Sequence, residues 1–285
     1  MESNYWLIPN EDLPSLCKLY NENTKIYCKM LSVMDLKYLS TINEENAEHI
    51  TNGILEHCLK LEGITYEDLL LADREYLLFW LRINSFSKNN TFENEIFCQK
   101  CQTTFKYNIN FSQFEIYHLT IMPHTLDLPD CGVKLYLSYP TVRELKRKND
   151  DAEIQTFLRH LRFTEYDDDL IVNFLKGLSA FDYTVLKNAI DEMAIGFDKE
   201  LKIYCPRCNA EHIYKVEIDE NGVLGKINVM EIMEAILKIC KYTNFQIPDN
   251  MPWWEVEVAQ EVTNKIALEE QQELDRQHGK MTLNR

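Results

Sequence analysis

Residues 95–109, EIFCQKCQTTFKYNI, and residues 202–216, KIYCPRCNAEHIYKV, are one design written twice. Each opens on apolar β-formers, sets two cysteines around a pair of residues whose second member is basic, and continues into an alternating strand, as Phe105, Tyr107, Ile109 and Phe111 do. A gap of two residues lets both sulfurs of one tight turn face a common point. Two such knuckles supply four thiolates, Cys98, Cys101, Cys205 and Cys208, to a closed tetrahedral site whose Zn–S bonds are about 2.3 Å. This spacing predicts one structural Zn2+ per chain. A four-thiolate site has no open position for water, so it organises a fold and does not catalyse. A pair of redox dithiols and an iron–sulfur cluster are the alternatives, although redox motifs sit in a βαβ context that this sequence lacks.

About 100 residues separate the two knuckles, whereas in an ordinary zinc ribbon the second pair follows after roughly 15 to 20. The reading is therefore a discontinuous ribbon. It divides the chain into an N-terminal helical region (1–90), a zinc-ribbon domain (91–219) interrupted by a hairpin-plus-helix insert (112–198), and C-terminal helices (220–285). Four ligands on one ion also predict that the strands after Cys101 and Cys208 lie side by side.

Outward from the knuckles, helical spacing dominates. Ile50, Ile54, Leu55, Cys58, Leu59 and Leu61 recur at three to four residues and predict a one-sided helix ending at Gly63. A second helix runs from Thr65 through YEDLLLADREYLLFWLRINSF, apolar nearly all round in its second half. HTLDLPDCGVKLYLSYPTV alternates across Asp130–Cys131–Gly132 and reads as a hairpin whose glycine supplies an unusual backbone angle. Residues 141–195 return to helical spacing, and a further helix starts after Asn228. Another begins behind Pro252, with an end so charged that it is expected to fray. Residues 1–40 carry mixed signals and no firm assignment. The fold class is α+β, a mainly helical chain built around a discontinuous four-cysteine zinc ribbon with small β-hairpins.

Composition narrows the function classes. With 45% apolar residues the chain can build a real core, and with only eight glycines and eight prolines it is not a meander of tight turns. A formal charge of −16 repels phosphate backbones and disfavours nucleic acid. The longest apolar run, Tyr76 to Leu81, is far too short to span a bilayer, and no basic start followed by an apolar run opens the chain. These features read as a soluble, unexported protein.

Other residues weigh less. Cys17, Cys28, Cys58, Cys131 and Cys240 stand among apolar residues and read as buried, inert thiols. His212 lies four residues beyond Cys208, but strand alternation accounts for it and four cysteines complete the site. His49, His57, His118 and His124 lack the metalloprotease spacing. Asp167, Asp168 and Asp169 precede LIVNFLKGL, where acids favour a helix start. No catalytic residue is assigned, since phosphate loop, nucleophile elbow and Cys–His–Asp set are all missing from the sequence. Trp253, Trp254, Val258, Val262 and Ile266 begin an amphipathic helix that reads either as a partner-binding arm or as a helix docked on the protein's own core.

The succession ADREYLLFWLRINSF, FCQKCQTTFKYNINF and LDLPDCGVKLYLSYPTV resembles the T4-type bacteriophage baseplate hub proteins. The matching pieces are Asp73–Arg74, Leu81 to Ser85, Cys98 and Cys101, Leu128–Pro129 and Pro140 to Val142, over about residues 70–218. Cys131 departs from the pattern, where a small Ser or Thr is expected. The resemblance implies a non-enzymatic structural or assembly protein of a contractile tail. Its partners would be other phage tail and baseplate proteins, and it would act in the host cytoplasm during assembly and then in the virion. No small-molecule substrate, membrane or nucleic acid is implied. Two further classes compete: a transcription-associated zinc-ribbon protein that binds polymerase or nucleic acid, and a hydrolase or other enzyme with an unrecognised site.

Overall fold

In the computed structural model, residues 5–43, 45–86, 91–110, 114–162, 167–198, 200–215, 229–243 and 246–283 are described. Three short strands, β1 (Trp6–Leu7), β2 (Lys25–Cys28) and β3 (Leu59–Glu62), form an antiparallel sheet in the order β1-β2-β3. Between β2 and β3 lie helices α1 (Val33–Leu39) and α2 (Ala47–Cys58). Helix α1 is started by Ser32 and Asp35 in a reciprocal cap: the Ser32 N–H donates to Asp35 Oδ2 at 2.8 Å and the Asp35 N–H to Ser32 Oγ at 3.3 Å. The helix expected to reach Leu61 stops at Cys58, because Leu59-Lys60-Leu61-Glu62 alternates and pairs along β2, where a helix would leave that edge unpaired. Gly63 follows at φ +84 against the Thr24 backbone, a turn that a side chain would strain.

Helix α3 (Leu71–Ser85) runs through the centre of the molecule, with Leu77, Leu78, Phe79 and Leu81 buried. The stretch from Thr65 that leads into it is a 3₁₀ turn, Tyr66–Asp68, and not part of the helix. Hairpin β4 (Thr91–Cys98)–β5 (Thr103–Asn110) follows. The chain then enters an excursion through β6 (Ile116–Tyr117), hairpin β7 (His124–Leu128)–β8 (Val133–Leu137), a 3₁₀ turn (Val142–Lys146), and helices α4 (Ala152–His160), α5 (Asp168–Lys176) and α6 (Ala180–Glu192). It returns on β9 (Gly196–Phe197), which pairs with β6 and closes the excursion at its neck. Hairpin β10 (Glu200–Tyr204)–β11 (Glu211–Lys215) follows, then α7 (Val229–Thr243) and α8 (Trp253–Leu283). Helix α8 remains helical to Leu283 in spite of its charged end.

Gly132 has φ +67 in the β7–β8 turn, as its place in the hairpin predicts. The turn is pinned by Asp182, whose carboxylate accepts the N–H groups of Asp130 and Cys131 at 3.0 and 2.9 Å. Asp167 is the N-cap residue of α5 but makes no side-chain cap bond, so the acids there act through Asp168 and Asp169 in the first turn. Among the described residues, no helix is long and apolar enough to cross a membrane.

Among the described residues, two apolar cores result. One gathers Ile8, Ile26, Leu36, Ile54, Leu77, Ile96, Ile203, Ile239 and Val256, residues from nearly the full length of the chain. The other is built by the excursion, from Leu119, Leu135, Phe157, Leu175, Leu186 and Met193, with Leu70 joining from the start of α3. The cores are joined by backbone bonds from Leu71 N to Pro140 O (2.9 Å), Val142 N to Leu69 O (2.8 Å) and Leu119 N to Pro14 O (2.8 Å). At the same joint the buried Asp73 carboxylate accepts Ser15 N (2.9 Å), Ser15 Oγ (2.5 Å) and Tyr20 Oη (2.6 Å), while Tyr20 Oη accepts the Leu70 N–H at 2.9 Å. Burial raises the Asp73 pKa although these donors pull it down.

Candidate metal centre

Alternation along β4 and β10 places the cysteines. Ile96 and Cys98 point inward, as do Ile203 and Cys205, while Phe97 and Tyr204 are left outside. The same period that packs the hairpins onto the core therefore carries one sulfur of each pair to the inner face. After the second cysteine of each pair the chain turns through a left-handed residue, Gln102 at φ 55 and Asn209 at φ 53. Gln102 N donates to Cys98 O at 2.8 Å and Asn209 N to Cys205 O at 2.9 Å, so the two turns share one backbone geometry.

The turns meet tip to tip. Cys98 Sγ stands 3.6 Å from Cys208 Sγ, and Cys101 Sγ stands 3.7 Å from Cys205 Sγ. All four sulfurs lie within 4.8 Å of one another. Sulfurs bound at about 2.3 Å around one tetrahedral ion stand roughly 3.8 Å apart, since each edge is about 1.6 times the bond length. The donor set is thus already spaced for an ion, and these four residues can hold a metal.

The ribbon reading expects the strands after Cys101 and Cys208 side by side; the cysteine pairs do come together, but the two strands do not pair with one another. Among the described residues, strand β5 pairs only with β4 and β11 only with β10, in separate two-stranded sheets. Ligation requires the turns to meet and places no demand on the strands behind them, and each strand already finds its ladder within its own hairpin.

Among the described residues, two neighbouring side chains outside the cluster bond the sulfurs. Thr103 Oγ1 is 2.8 Å from Cys101 Sγ, and His212 Nε2 is 3.2 Å from Cys98 Sγ. His212 is therefore more than an alternating strand residue: its ring Nε2 is placed to bond a sulfur of the cluster, as groups around structural metals do. Only the turn-to-turn contact reveals this, because Cys98 is remote from it in sequence. The hydrogen bond from Thr103 holds the Cys101 thiol down to about 6. At Cys205 burial acts upward, but the backbone N–H groups of Cys208 and Arg207 prevail and lower the pKa. Cys208 accepts the Ala210 N–H, which favours the thiolate, yet burial and the neighbouring cysteines push it up to about 12. Four thiols this close do not all ionise without a cation among them, and a bound dication removes that conflict.

A second grouping, Asp35, His57 and Cys58, also comes close together. Its geometry is that of a hydrogen-bonded set, not a metal site. His57 Nδ1 donates to Asp35 Oδ1 at 2.7 Å, Asp35 Oδ2 is taken by Ser32, and the Lys29 ammonium is 3.1 Å from His57 Nε2. Burial pushes the Cys58 thiol well up. Of the five remaining cysteines only Cys28 and Cys58 are fully buried, whereas Cys131 is exposed at the β7–β8 turn, contrary to the expectation for all five.

The helix thought to hold a partner surface splits between two environments. Trp253 packs into the first core beside Val256, so it is not available to a partner. Trp254, Val258, Val262 and Ile266 remain on the outside, 37%, 45%, 53% and 41% exposed.

The family model for the T4 bacteriophage base plate protein matches residues 13–221. The chain belongs to the T4 bacteriophage base plate protein family. No curated protein and no solved structure matches it. The matched span contains both cysteine hairpins and the whole excursion between them, and it reaches further toward the N-terminus than the resemblance drawn from the motifs. Most of the N-terminal sheet and the Asp73 joint thus lie inside the family's region, while α7 and α8 lie beyond it.

Proposed function

We propose that this base plate family protein is a hub component, or hub-assembly factor, of a contractile tail. It acts through protein–protein contact without enzymatic activity and is held in shape by one structural zinc on Cys98, Cys101, Cys205 and Cys208. The carrying observation is the pair of matched turns that bring four sulfurs to tetrahedral spacing across the base of a long insertion. When bound, the ion supplies a cross-link and two positive charges. The protein's own part is to present thiolates from two rigid turns, with Thr103 and His212 bonding the sulfurs from outside. Zinc suits a closed thiolate set of this shape better than hard cations, which prefer oxygen.

Family membership supports the baseplate role, and with it the reading that partners are other tail and baseplate proteins met first in the host cytoplasm and then in the virion. The exposed ridge Trp254, Val258, Val262 and Ile266 is the proposed contact surface, since aromatic and aliphatic anchors dominate binding energy.

Two measurements test the proposal. Elemental analysis of protein purified without chelator should find one zinc per chain; iron or no metal refutes the zinc assignment. Mass spectrometry of purified tails and of assembly intermediates should find the chain in at least one of them. Absence from both refutes the baseplate role.

A further inference from the structure

The outer ridge of α8 has a pattern that the inner stripe does not. Trp253, Val256 and Thr263 are buried on one side of the helix. On the other, Trp254, Val258, Val262 and Ile266 follow one another at intervals of four, a single ridge of the kind that interdigitates with an equal ridge on a second helix. The ridge is symmetric about Gln260. Trp254 and Ile266 are equidistant from it, as are Val258 and Val262, and so are Glu255 and Lys265, which are exposed and of opposite charge.

A two-fold contact requires residue i of one copy to meet residue j of the other, and j to meet i. An antiparallel crossing level with Gln260 meets that requirement, putting Trp254 against Ile266, Val258 against Val262, and Glu255 against Lys265, each pairing made twice. A parallel crossing would instead set Glu255 on Glu255 and Lys265 on Lys265, with the acidic run Glu269, Glu270 and Glu273 beside its own copy. Beside this helix, α7 also keeps Met230, Met233 and Leu237 exposed, 62%, 38% and 63%.

From this register we infer that the occupant of the α8 ridge is a second copy of this chain, docked antiparallel about a two-fold axis that meets the ridge between Val258 and Val262, level with Gln260 on the opposite side of the helix. The inference rests on the proposed reading that the chain works through protein contact, and it names one partner.

Analytical ultracentrifugation of the full, metal-loaded chain over a wide concentration range tests it. A monomer–dimer equilibrium is expected. Val262→Asp should weaken the dimer on the order of 100-fold, because it places a carboxylate in the apolar contact twice. Glu255→Lys and Lys265→Glu should each weaken it about tenfold, and the double variant should return to within about threefold of the parent, because the pairs are swapped and not lost. Circular dichroism and metal content, unchanged in every variant, separate loss of association from loss of fold. A folded chain that stays monomeric throughout, or a double variant no tighter than the single ones, overturns the inference. If the chain is monomeric and Val262→Asp is still excluded from assembled tails, the ridge serves another tail protein: the contact reading stands and self-association falls. If the dimer forms as described and Val262→Asp enters tails normally, self-association stands and the ridge's proposed role in tail contact falls.

Discussion

The two cores of this protein are assembled in opposite ways. The excursion between β6 and β9 builds its core mostly from its own residues, with hairpin β7–β8 and helices α4, α5 and α6 supplying all but Leu70 and a few flanking side chains, and the ends tied by the β6–β9 pair. The other core draws on Ile8, Leu77, Ile96, Ile203 and Val256, elements separated by most of the chain, and needs both cysteine hairpins brought to one place. Closing a long loop costs conformational entropy before any contact offsets it. On the proposed reading, a metal at the meeting of the two turns would stabilise the core that local sequence cannot assemble, and would not cross-link the excursion.

Removing the metal should therefore act on one core first. Cys98→Ser, or chelation of the parent protein, is expected to cost at least about 3 kcal/mol, part of the ~10–16 kcal/mol that structural zinc contributes in small domains. Hydrogen exchange should then rise across β4, β5, β10 and β11 and stay low in α4 and α6. Equal loss of protection in both cores would erase the distinction between them. Metal affinity should also fall as pH falls, since protons compete for the thiolates and the metal-free Cys101 is half protonated at about 6. Affinity that is flat with pH in this range would speak against thiolate ligation.

The joint between the cores is the next most sensitive place. Tyr20→Phe leaves the Leu70 N–H and one Asp73 lone pair without their buried partner, at a cost of about 2 kcal/mol. Denaturant unfolding should show that loss, with exchange rising around Leu70 and Ser15 and metal content unchanged. A smaller change is expected at the neck. Gly196 has φ +113, which a side chain tolerates poorly, so Gly196→Ala should cost about 1 kcal/mol even though its Cβ would meet nothing closer than Ala72 Cβ at 3.6 Å. A neutral outcome would mean that the neck relaxes and the excursion is held by its other joints. Smallest of all, Gln102→Gly or Asn209→Gly exchanges left-handed strain for a more flexible unfolded chain, and the midpoint of thermal unfolding should move by the equivalent of no more than about 0.5 kcal/mol. A large loss at either turn would show that the side chain supports the metal site directly.

Much of this arrangement is legible in the residues. The repeated Cys-x-x-Cys segments, the alternation of Phe105 and Tyr107, the turn at Gly132 and the apolar run of α3 all act over a few residues, where backbone preference and pattern dominate. Other features were hidden for a definite reason. Leu59 and Leu61 fit a helical face as well as a strand, and only the open edge of β2 settles them as strand. The paired tryptophans look alike in sequence, and only packing sends Trp253 inward and leaves Trp254 on the surface.

By itself the sequence determined which four cysteines would come together, because two matched turns dictate where each pair of thiols points, and it determined the α+β character through hydrophobic period. Tertiary structure alone decided how the donors meet. The turns touch at their tips while each hairpin keeps its own ladder, so β5 and β11 do not pair, and His212 reaches Cys98 across that contact. The physical reason is that pattern acts along the chain, while ligation, hydrogen bonding across hairpins and the division into two cores depend on which distant surfaces bury one another.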